Sequence, residues 1–236
     1  MKILLIAGHG AGDCGAVGNG YKEADLTREV VALLKPELDG YADVTIADTS
    51  KNWYENRNNL NVKGYSYVLE IHFNAAVNDT NGNGKTTGTE IIITKSEKTW
   101  GVEEKIIKNI SALGFRNRHL NGKGEFVPKK TNMSVIYRAK SQGVSSALLE
   151  VCFVDDIDDM KLYQAKKDNV IQAIADGIIK GFNLQKKTDE LTEACNLLAS
   201  KGIINSPDYW AKGEGYTDGN TALLIKKFAQ YVKGVG

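Results

Sequence analysis

The pattern of apolar and polar residues predicts strands that alternate with helices over most of the chain. Residues 2–7, KILLIA, form a continuous apolar run typical of a strand buried on both faces. A glycine-rich loop follows at 8–20. Further strands are predicted at 42–48, 66–73, 89–95, 134–139 and 146–153. Helices are predicted at about 21–35, 52–63, 98–112, 156–164 and 167–182, and Pro36 is expected to end or bend the first. The alternation indicates an α/β domain with a mostly parallel or mixed sheet.

The pattern changes in the polar stretch 183–190, which predicts a domain boundary. Two short helical patterns lie beyond it, so we expect an α/β domain over 1–184 and a small helical domain over 190–236. The second domain is rich in aromatic residues. We expect Phe228 and Tyr231 to pack in its core, whereas Trp210 suits either the core or a surface that stacks on sugars.

Composition and charge narrow the classes of function. The chain has 30 basic and 29 acidic residues, which argues against nucleic acid as a partner. No apolar run reaches the length of about 18 residues needed for membrane insertion. The apolar stretch at the N-terminus is too short for a secretory signal, so we expect a cytoplasmic protein. The chain has three cysteines, Cys14, Cys152 and Cys195, and their odd number and scattered positions argue against a disulfide framework.

Four residues form the candidate chemical site. His9 and His72 lie at or just after the ends of strands, and the carboxyl ends of parallel strands share one rim of a sheet. Glu23 begins the first predicted helix, and Glu150 lies in an apolar strand where an unpaired carboxylate is costly. Two histidines and a glutamate suit Zn²⁺ with an open position for water, and a second glutamate suits a general base. The competing interpretations are a helix-start glutamate that only complements the helix dipole and a glycine-rich loop that holds phosphate.

Three separated segments carry a resemblance to a known family. They read IAGHGAGDCGAVGNGYKEADLTREV, then NRNNL with YSYVLEIHFNA, then ALLEVCFVDDIDDMKLY. Together they resemble the zinc-dependent N-acetylmuramoyl-L-alanine amidases of type 3, the peptidoglycan hydrolases of phage endolysins and bacterial autolysins. The resemblance covers about residues 1–184 and implies a twisted mixed sheet flanked by helices.

The resemblance also implies roles for individual residues. One Zn²⁺ per chain would be held by His9, Glu23 and His72, and Glu150 would be the catalytic base. Asn74 matches a position beside the metal, and Arg57 matches an arginine whose role is mainly structural.

The chain departs from the pattern of this family at two positions. Glu70 stands where many relatives have serine, and it is either a partner of His72 or a solvated rim carboxylate. Cys152 replaces a glycine, and we expect it to be a small buried side chain that fills space.

We expect His119, in the polar stretch 114–132, to be exposed and to have no part in the site.

The implied function is hydrolysis of the amide between N-acetylmuramic acid and L-alanine in bacterial peptidoglycan. Two alternatives stay open: a zinc peptidase or carboxypeptidase on peptidoglycan peptides, and a wall-binding module without catalysis. A phage or prophage lysin fits, held in the cytoplasm until it is released to the cell wall. The candidate substrate contacts are Asn74 and Glu70 in the α/β domain and Trp210 in the helical domain. The helical domain would bind the wall or would form a homodimer.

Overall fold

The computed structural model contains one large sheet and eight helices among the described residues. In chain order the strands are β1 (Lys2–Ala7), β2 (Val17–Gly18), β3 (Tyr21–Lys22), β4 (Asp43–Ile46), β5 (Tyr67–Asn74), β6 (Glu90–Ile93), β7 (Lys129–Lys130) and β8 (Ser145–Phe153). The helices are α1 (Glu23–Asp39), α2 (Trp53–Asn56), α3 (Gly101–Ala112), α4 (Ser134–Ser141), α5 (Ile157–Gly181), α6 (Glu190–Ser200), α7 (Pro207–Ala211) and α8 (Asp218–Val232).

The structure describes residues 1–76, 78–82, 84–187, 190–213, 215–232 and 234. Positions 77, 83, 188, 189, 214, 233, 235 and 236 lie outside the described residues, and parts of the predicted boundary at 183–190 and of the predicted 190–236 domain fall on them. The chain divides into two units, Met1–Gln185 and Lys186–Gly236, which are described separately. None of the helices, over the residues described, is both long and apolar enough to cross a membrane.

The large sheet has the strand order β4-β1-β5-β8-β6-β7. The first four of these strands are parallel, β6 runs antiparallel to β8, and β7 pairs in parallel with β6. A short antiparallel pair, β2 with β3, lies in the loop after β1. This arrangement confirms the predicted fold class, a mostly parallel mixed sheet flanked by helices.

Side chains alternate between the two faces of the sheet, and the two faces are covered unequally. In β1, Ile3 and Leu5 join the larger core with residues of α1, α3 and α5, whereas Leu4 and Ile6 face a smaller core with residues of α4. Three helices of 12 to 25 residues therefore cover the first face. The eight-residue α4 and the four-residue α2 are the short helices on the other side. Polar side chains near the ends of β5 and β8 line a cavity on the side of α2 and α4.

The prediction of a strand at 134–139 is wrong, because this segment forms most of helix α4. Val135, Ile136 and Ala139 are buried, and their spacing places them on one side of a helix. A short apolar run fits a strand and a buried helix equally well by periodicity, which explains the error.

Two helix predictions also change in length. Helix α1 continues through Pro36 to Asp39, so the proline does not end it. Only Trp53–Asn56 of the predicted 52–63 helix is α-helical, followed by a 3-10 turn at Arg57–Asn59. By contrast, the two helices predicted at 156–164 and 167–182 meet in α5 at Lys166, whose backbone is not helical (φ −127°, ψ 22°).

The second unit contains α6, α7 and α8 around a small core. Its buried residues are Cys195, Ile203 and Ile204, against which Trp210 and Leu224 pack while partly exposed. The expectation that Phe228 and Tyr231 form this core is wrong, because 51% and 42% of these residues are exposed. The buried cluster lies on α6 and the segment after it, and Leu224 is the residue of α8 that packs against it among those described.

Candidate metal centre and catalytic site

The carboxyl ends of β1 and β5 bring His9, Glu23 and His72 together, as the sequence predicted for neighbouring parallel strands. One ligand atom from each of these residues lies within 4.8 Å of the other two. Glu23 is the hub: its Oε2 lies 2.9 Å from His9 Nε2, and its Oε1 lies 2.9 Å from His72 Nδ1. No other group of three or more histidine, cysteine or acidic residues in the described ranges is drawn together in this way.

Glu23 is buried at the first turn of α1, and its carboxylate is held from several sides. Backbone N–H groups of Ala16 and Phe73 donate to it at 2.9 and 3.0 Å. Burial opposes the charge of this carboxylate, but hydrogen bonds with His72 and His9 outweigh burial and hold the pKa of Glu23 well below its ordinary value. The residue is therefore ionised and fixed in place, as a metal ligand must be.

Glycines leave space for the side chains of this group. A Cβ on Gly8 would lie 2.4 Å from His72 Cε1, and a Cβ on Gly15 would lie 2.7 Å from Glu23 Oε2. His9 itself has a φ of 64°, in the left-handed region that non-glycine residues seldom occupy. Such strain concentrates at functional sites, where the surrounding structure enforces it.

Each histidine has a carboxylate on its second ring nitrogen. Asp13 Oδ2 lies 2.8 Å from His9 Nδ1, and Glu70 Oε1 lies 3.1 Å from His72 Nε2. Asn52 in turn donates to Asp13 Oδ2 at 3.0 Å. The buried Glu70 is thus a partner of His72, and these contacts fix which nitrogen of each ring faces Glu23.

Glu150 lies beside His72, because β5 and β8 pair with His72 opposite Glu150. Among the residues described, no hydrogen-bond partner reaches its buried Oε2. Burial raises the pKa of Glu150 to about 7, His72 opposes this rise, and the charges of Glu23, Glu90 and Glu70 add to it. A carboxylate with a pKa near neutrality and an unused oxygen is suited to accept a proton.

All of these groups line one cavity of about 720 Å³, whose other walls come from the α2 and α4 regions. Asn74 also lines it and donates to Glu90 at 3.4 Å, and Glu90 is held by Lys129 and Arg118. The cavity has further lining residues that the sequence does not predict: Asn52, Tyr54, Asn132 and Ser134. Nothing in their local sequence marks them, because they come from two segments, the start of α2 and the start of α4, that meet only in the fold.

One expectation about an individual residue changes. His119 is buried rather than exposed: its Nε2 accepts from the backbone N–H of Ile91 at 2.6 Å, and its Nδ1 lies 3.0 Å from the carbonyl of Val127. It therefore fastens the 114–132 stretch to β6. Trp210 belongs to the second unit, where it packs near Tyr216 with ring centroids 6.1 Å apart.

The sequence is similar to those of a known endolysin and a known amidase. The chain is 27% identical over 195 residues to the endolysin of Bacillus phage SPP1, an alignment that covers 79% of this chain and 68% of that protein. It is 29% identical over 241 residues to the N-acetylmuramoyl-L-alanine amidase CwlM of Bacillus licheniformis, covering 95% and 85% of the two chains.

The fold has solved counterparts as well. The catalytic domain of CwlV, an N-acetylmuramoyl-L-alanine amidase from Bacillus (Paenibacillus) polymyxa var. colistinus, superposes with a TM-score of 0.60 at 22% identity, covering 78% of this chain and all of that one. The sequence model of the N-acetylmuramoyl-L-alanine amidase family matches residues 3–180. The chain therefore belongs to the N-acetylmuramoyl-L-alanine amidase family of type 3.

Proposed function

We propose that this chain is a peptidoglycan hydrolase that cleaves the amide between N-acetylmuramic acid and L-alanine with one Zn²⁺ at His9, Glu23 and His72. The observation that carries the proposal is the unpaired carboxylate oxygen of Glu150 beside these three ligand residues. Its amidase and endolysin relatives support the substrate class.

The residues fit zinc by the chemistry of their donor atoms. Two imidazoles and one carboxylate are the ligands of many catalytic zinc sites, which keep a further position open. The carboxylates of Asp13 and Glu70 behind the two imidazoles complete the usual outer contacts of such a site. When bound, zinc would acidify a water molecule and polarise the scissile carbonyl.

The protein's own groups account for the movement of protons. Glu150 accepts the proton of the attacking water at its free Oε2, because that oxygen has no other described partner. It then returns the proton to the nitrogen of L-alanine as the amide bond breaks. Asn74 and Glu70 line the same cavity. We assign Asn74 to contact with the substrate. We assign Glu70 to orienting His72, because its Oε1 lies 3.1 Å from His72 Nε2, and not to the substrate contact that the sequence predicts.

The second unit is proposed to bind the cell wall. Tyr209 and Trp210 line a small cavity of about 210 Å³ together with the polar residues Asn205, Ser206 and Asn220. Aromatic faces beside hydrogen-bonding side chains suit a sugar ring. The alternative role for this unit is to form a homodimer. This alternative is supported by the exposed apolar side chains of α8, Leu223, Ile225 and Phe228.

The roles of this unit are separable by binding to purified wall. Tyr209→Ala in the full chain should weaken co-sedimentation with wall, whereas Tyr137→Ala, an exposed tyrosine of the first unit, should not. Equal co-sedimentation of both variants, together with a dimer in light scattering, would favour the homodimer.

The lysin context is also a proposal. Endolysin and autolysin relatives fit a phage or prophage lysin that stays in the cytoplasm until it is released to the wall.

Mass analysis of digested wall tests the bond that is cleaved. The proposed amidase releases glycan with free muramic lactyl groups and stem peptides with a new N-terminal alanine. Cuts within the stem peptides would support the peptidase alternative instead, and an unchanged wall would leave only a binding module.

A further inference from the structure

A second group of oxygen ligands lies away from the histidines, where the β5–β6 connection meets the start of α5. From Asp79 the sequence reads DTNGNG, followed by five residues and Glu90. This spacing matches the consensus of calcium-binding loops, D-x-[DN]-x-[DN]-G-x₅-E. Position 83 lies outside the described residues, so the structural argument rests on Asp79, Gly82 and the residues of α5.

The loop and the helix start are tied together through the backbone. The N–H of Asp79 donates to the carbonyl of Asp155 at 2.9 Å, and the N–H of Ile157 donates to the carbonyl of Asp79 at 3.1 Å. Asp79 and Asp156 thereby face each other as a short parallel bridge. Their side chains are carried on neighbouring backbone positions.

Gly82 brings a third carboxylate to this corner. Its N–H donates to Asp79 Oδ1 at 3.0 Å, and a Cβ at this position would lie 2.6 Å from both carboxylate oxygens of Asp158. The φ of Gly82 is +71°, so both the backbone conformation and the nearby Asp158 carboxylate favour glycine at this position. The carboxylates of Asp79 and Asp158 therefore flank the same residue.

Asp156 supplies the independent sign of a ligand. Only 1% of the residue is exposed, and its Oδ1 accepts from the N–H of Asp159 at 2.8 Å as the N-cap of α5. Its Oδ2 is buried and has no partner among the described residues. Burial raises the pKa of Asp156, and the negative charges of Asp159, Asp158 and Asp79 add to the rise. A buried carboxylate oxygen among like charges is costly unless the carboxyl is protonated or a cation meets it.

The two buried acids next to Asp156 and Asp158 have hydrogen-bond partners of their own. Asp155 accepts from the backbone N–H of Ala76, and Asp159 accepts from those of Gly88 and Phe153. Within the described ranges, no ion pair with lysine, arginine or histidine reaches Asp155, Asp156, Asp158 or Asp159.

The last acid of the consensus is used elsewhere. Glu90 lies in β6 and pairs with Lys129 at 2.8 Å and with Arg118 at 3.4 Å. This corner is therefore not an EF-hand, and Asp156 and Asp158 of α5 stand in for the missing carboxylate.

We propose that Asp79, Asp156 and Asp158 form a structural Ca²⁺ site between the β5–β6 connection and α5. Calcium is the ion of choice because all donors are oxygens and the loop is irregular, whereas Mg²⁺ demands a near-octahedral shell. In the described part of the chain, one oxygen from each of these three carboxylates cannot be chosen so that all lie within 4.8 Å of one another, so we expect Ca²⁺ binding to require an inward movement of the exposed Asp158. The ion would fix the connection that directly follows the strand of His72. This proposal does not depend on the amidase function.

Titration calorimetry and thermal unfolding of the full chain test the site. The chain is freed of divalent cations, loaded with one equivalent of zinc, and titrated with CaCl₂ or MgCl₂. We expect one Ca²⁺ per chain and a rise in Tm of about 5 °C at saturation, with a much smaller response to Mg²⁺.

Two variants and a matched control locate the ion. Asp158→Asn and Asp156→Asn should each weaken Ca²⁺ binding at least about tenfold, and asparagine at 156 still caps the helix. Asp168→Asn, an exposed acid further along α5, should bind Ca²⁺ like the parent chain. The proposal is overturned if about 10 mM CaCl₂ gives neither heat nor a Tm shift, if Mg²⁺ acts equally, or if all three variants bind alike.

Discussion

The two sides of the cavity are built in opposite ways. On the β1 side, both carboxylate oxygens of Glu23 and both ring nitrogens of His9 and His72 have partners within 3.1 Å. On the β8 side, Glu150 keeps a buried oxygen for which no partner exists among the described residues. A metal ligand must be held in one orientation, whereas a base must keep an oxygen free for a substrate proton. The difference supports the proposed division between metal ligands and a catalytic base.

Removing a ligand should have the largest effect. We expect His72→Ala to lose both zinc and wall-clearing activity, because two ligands remain and the buried Glu23 loses a hydrogen-bond partner. Zinc content by mass spectrometry and turbidity of a wall suspension measure the two properties. Stoichiometric zinc with parental activity in this variant would show that His72 is not a ligand.

Weakening the outer carboxylates should have an intermediate effect. Asp13→Asn and Glu70→Gln keep the shape of each side chain but remove the charge behind His9 and His72. We expect zinc affinity to fall about 10- to 100-fold in each. Competition with a zinc chelator measures this affinity, and Asp25→Asn, an exposed acid in the first turn of α1, is the matched control. Parental affinity in both variants would mean that these carboxylates do not support the ligands.

The smallest effect concerns stability and pH. The pKa of Glu150 is raised from 4.5 to about 7, so the folded chain holds a proton that the unfolded chain releases above pH 4.5. Stability should therefore fall as the pH rises from about 4.5 to 7, and the loss should persist above 7. Glu150→Gln mimics the protonated carboxyl, and we expect it to stabilise the metal-free chain by about 1–3 kcal/mol at pH 8 but hardly at pH 4.

Urea unfolding of the metal-free parent and variant at both values of pH measures this difference. An equal difference at pH 4 and pH 8 would show that Glu150 is not held in its neutral form by the fold.

The sequence was sufficient for the central elements of the fold and for the proposed ligands. KILLIA and the apolar strand around Glu150 form β1 and β8 because continuous apolar runs must be buried on both faces. His9, Glu23 and His72 were found because chemically scarce residues fell at strand and helix ends, where parallel topology makes them neighbours.

The remaining features depend on contacts distant in sequence. The helix at 134–141 differs from a strand only through what covers it, and His119 is buried only because β6 lies against it. The hydrogen bond between Asn52 and Asp13 joins residues 39 positions apart, and no local sequence pattern predicts it. The orphaned oxygen of Asp156 likewise becomes visible only when the 79–82 segment lies against α5.

The division of labour between ligands and base is tested most directly by Glu150→Gln, with zinc content and amide cleavage measured on the same preparation. We expect zinc to remain at one ion per chain while the rate of L-alanine N-terminus release falls about 10²- to 10⁴-fold. Loss of zinc together with activity would place Glu150 among the ligands. Parental activity with full zinc would contradict its role as the base.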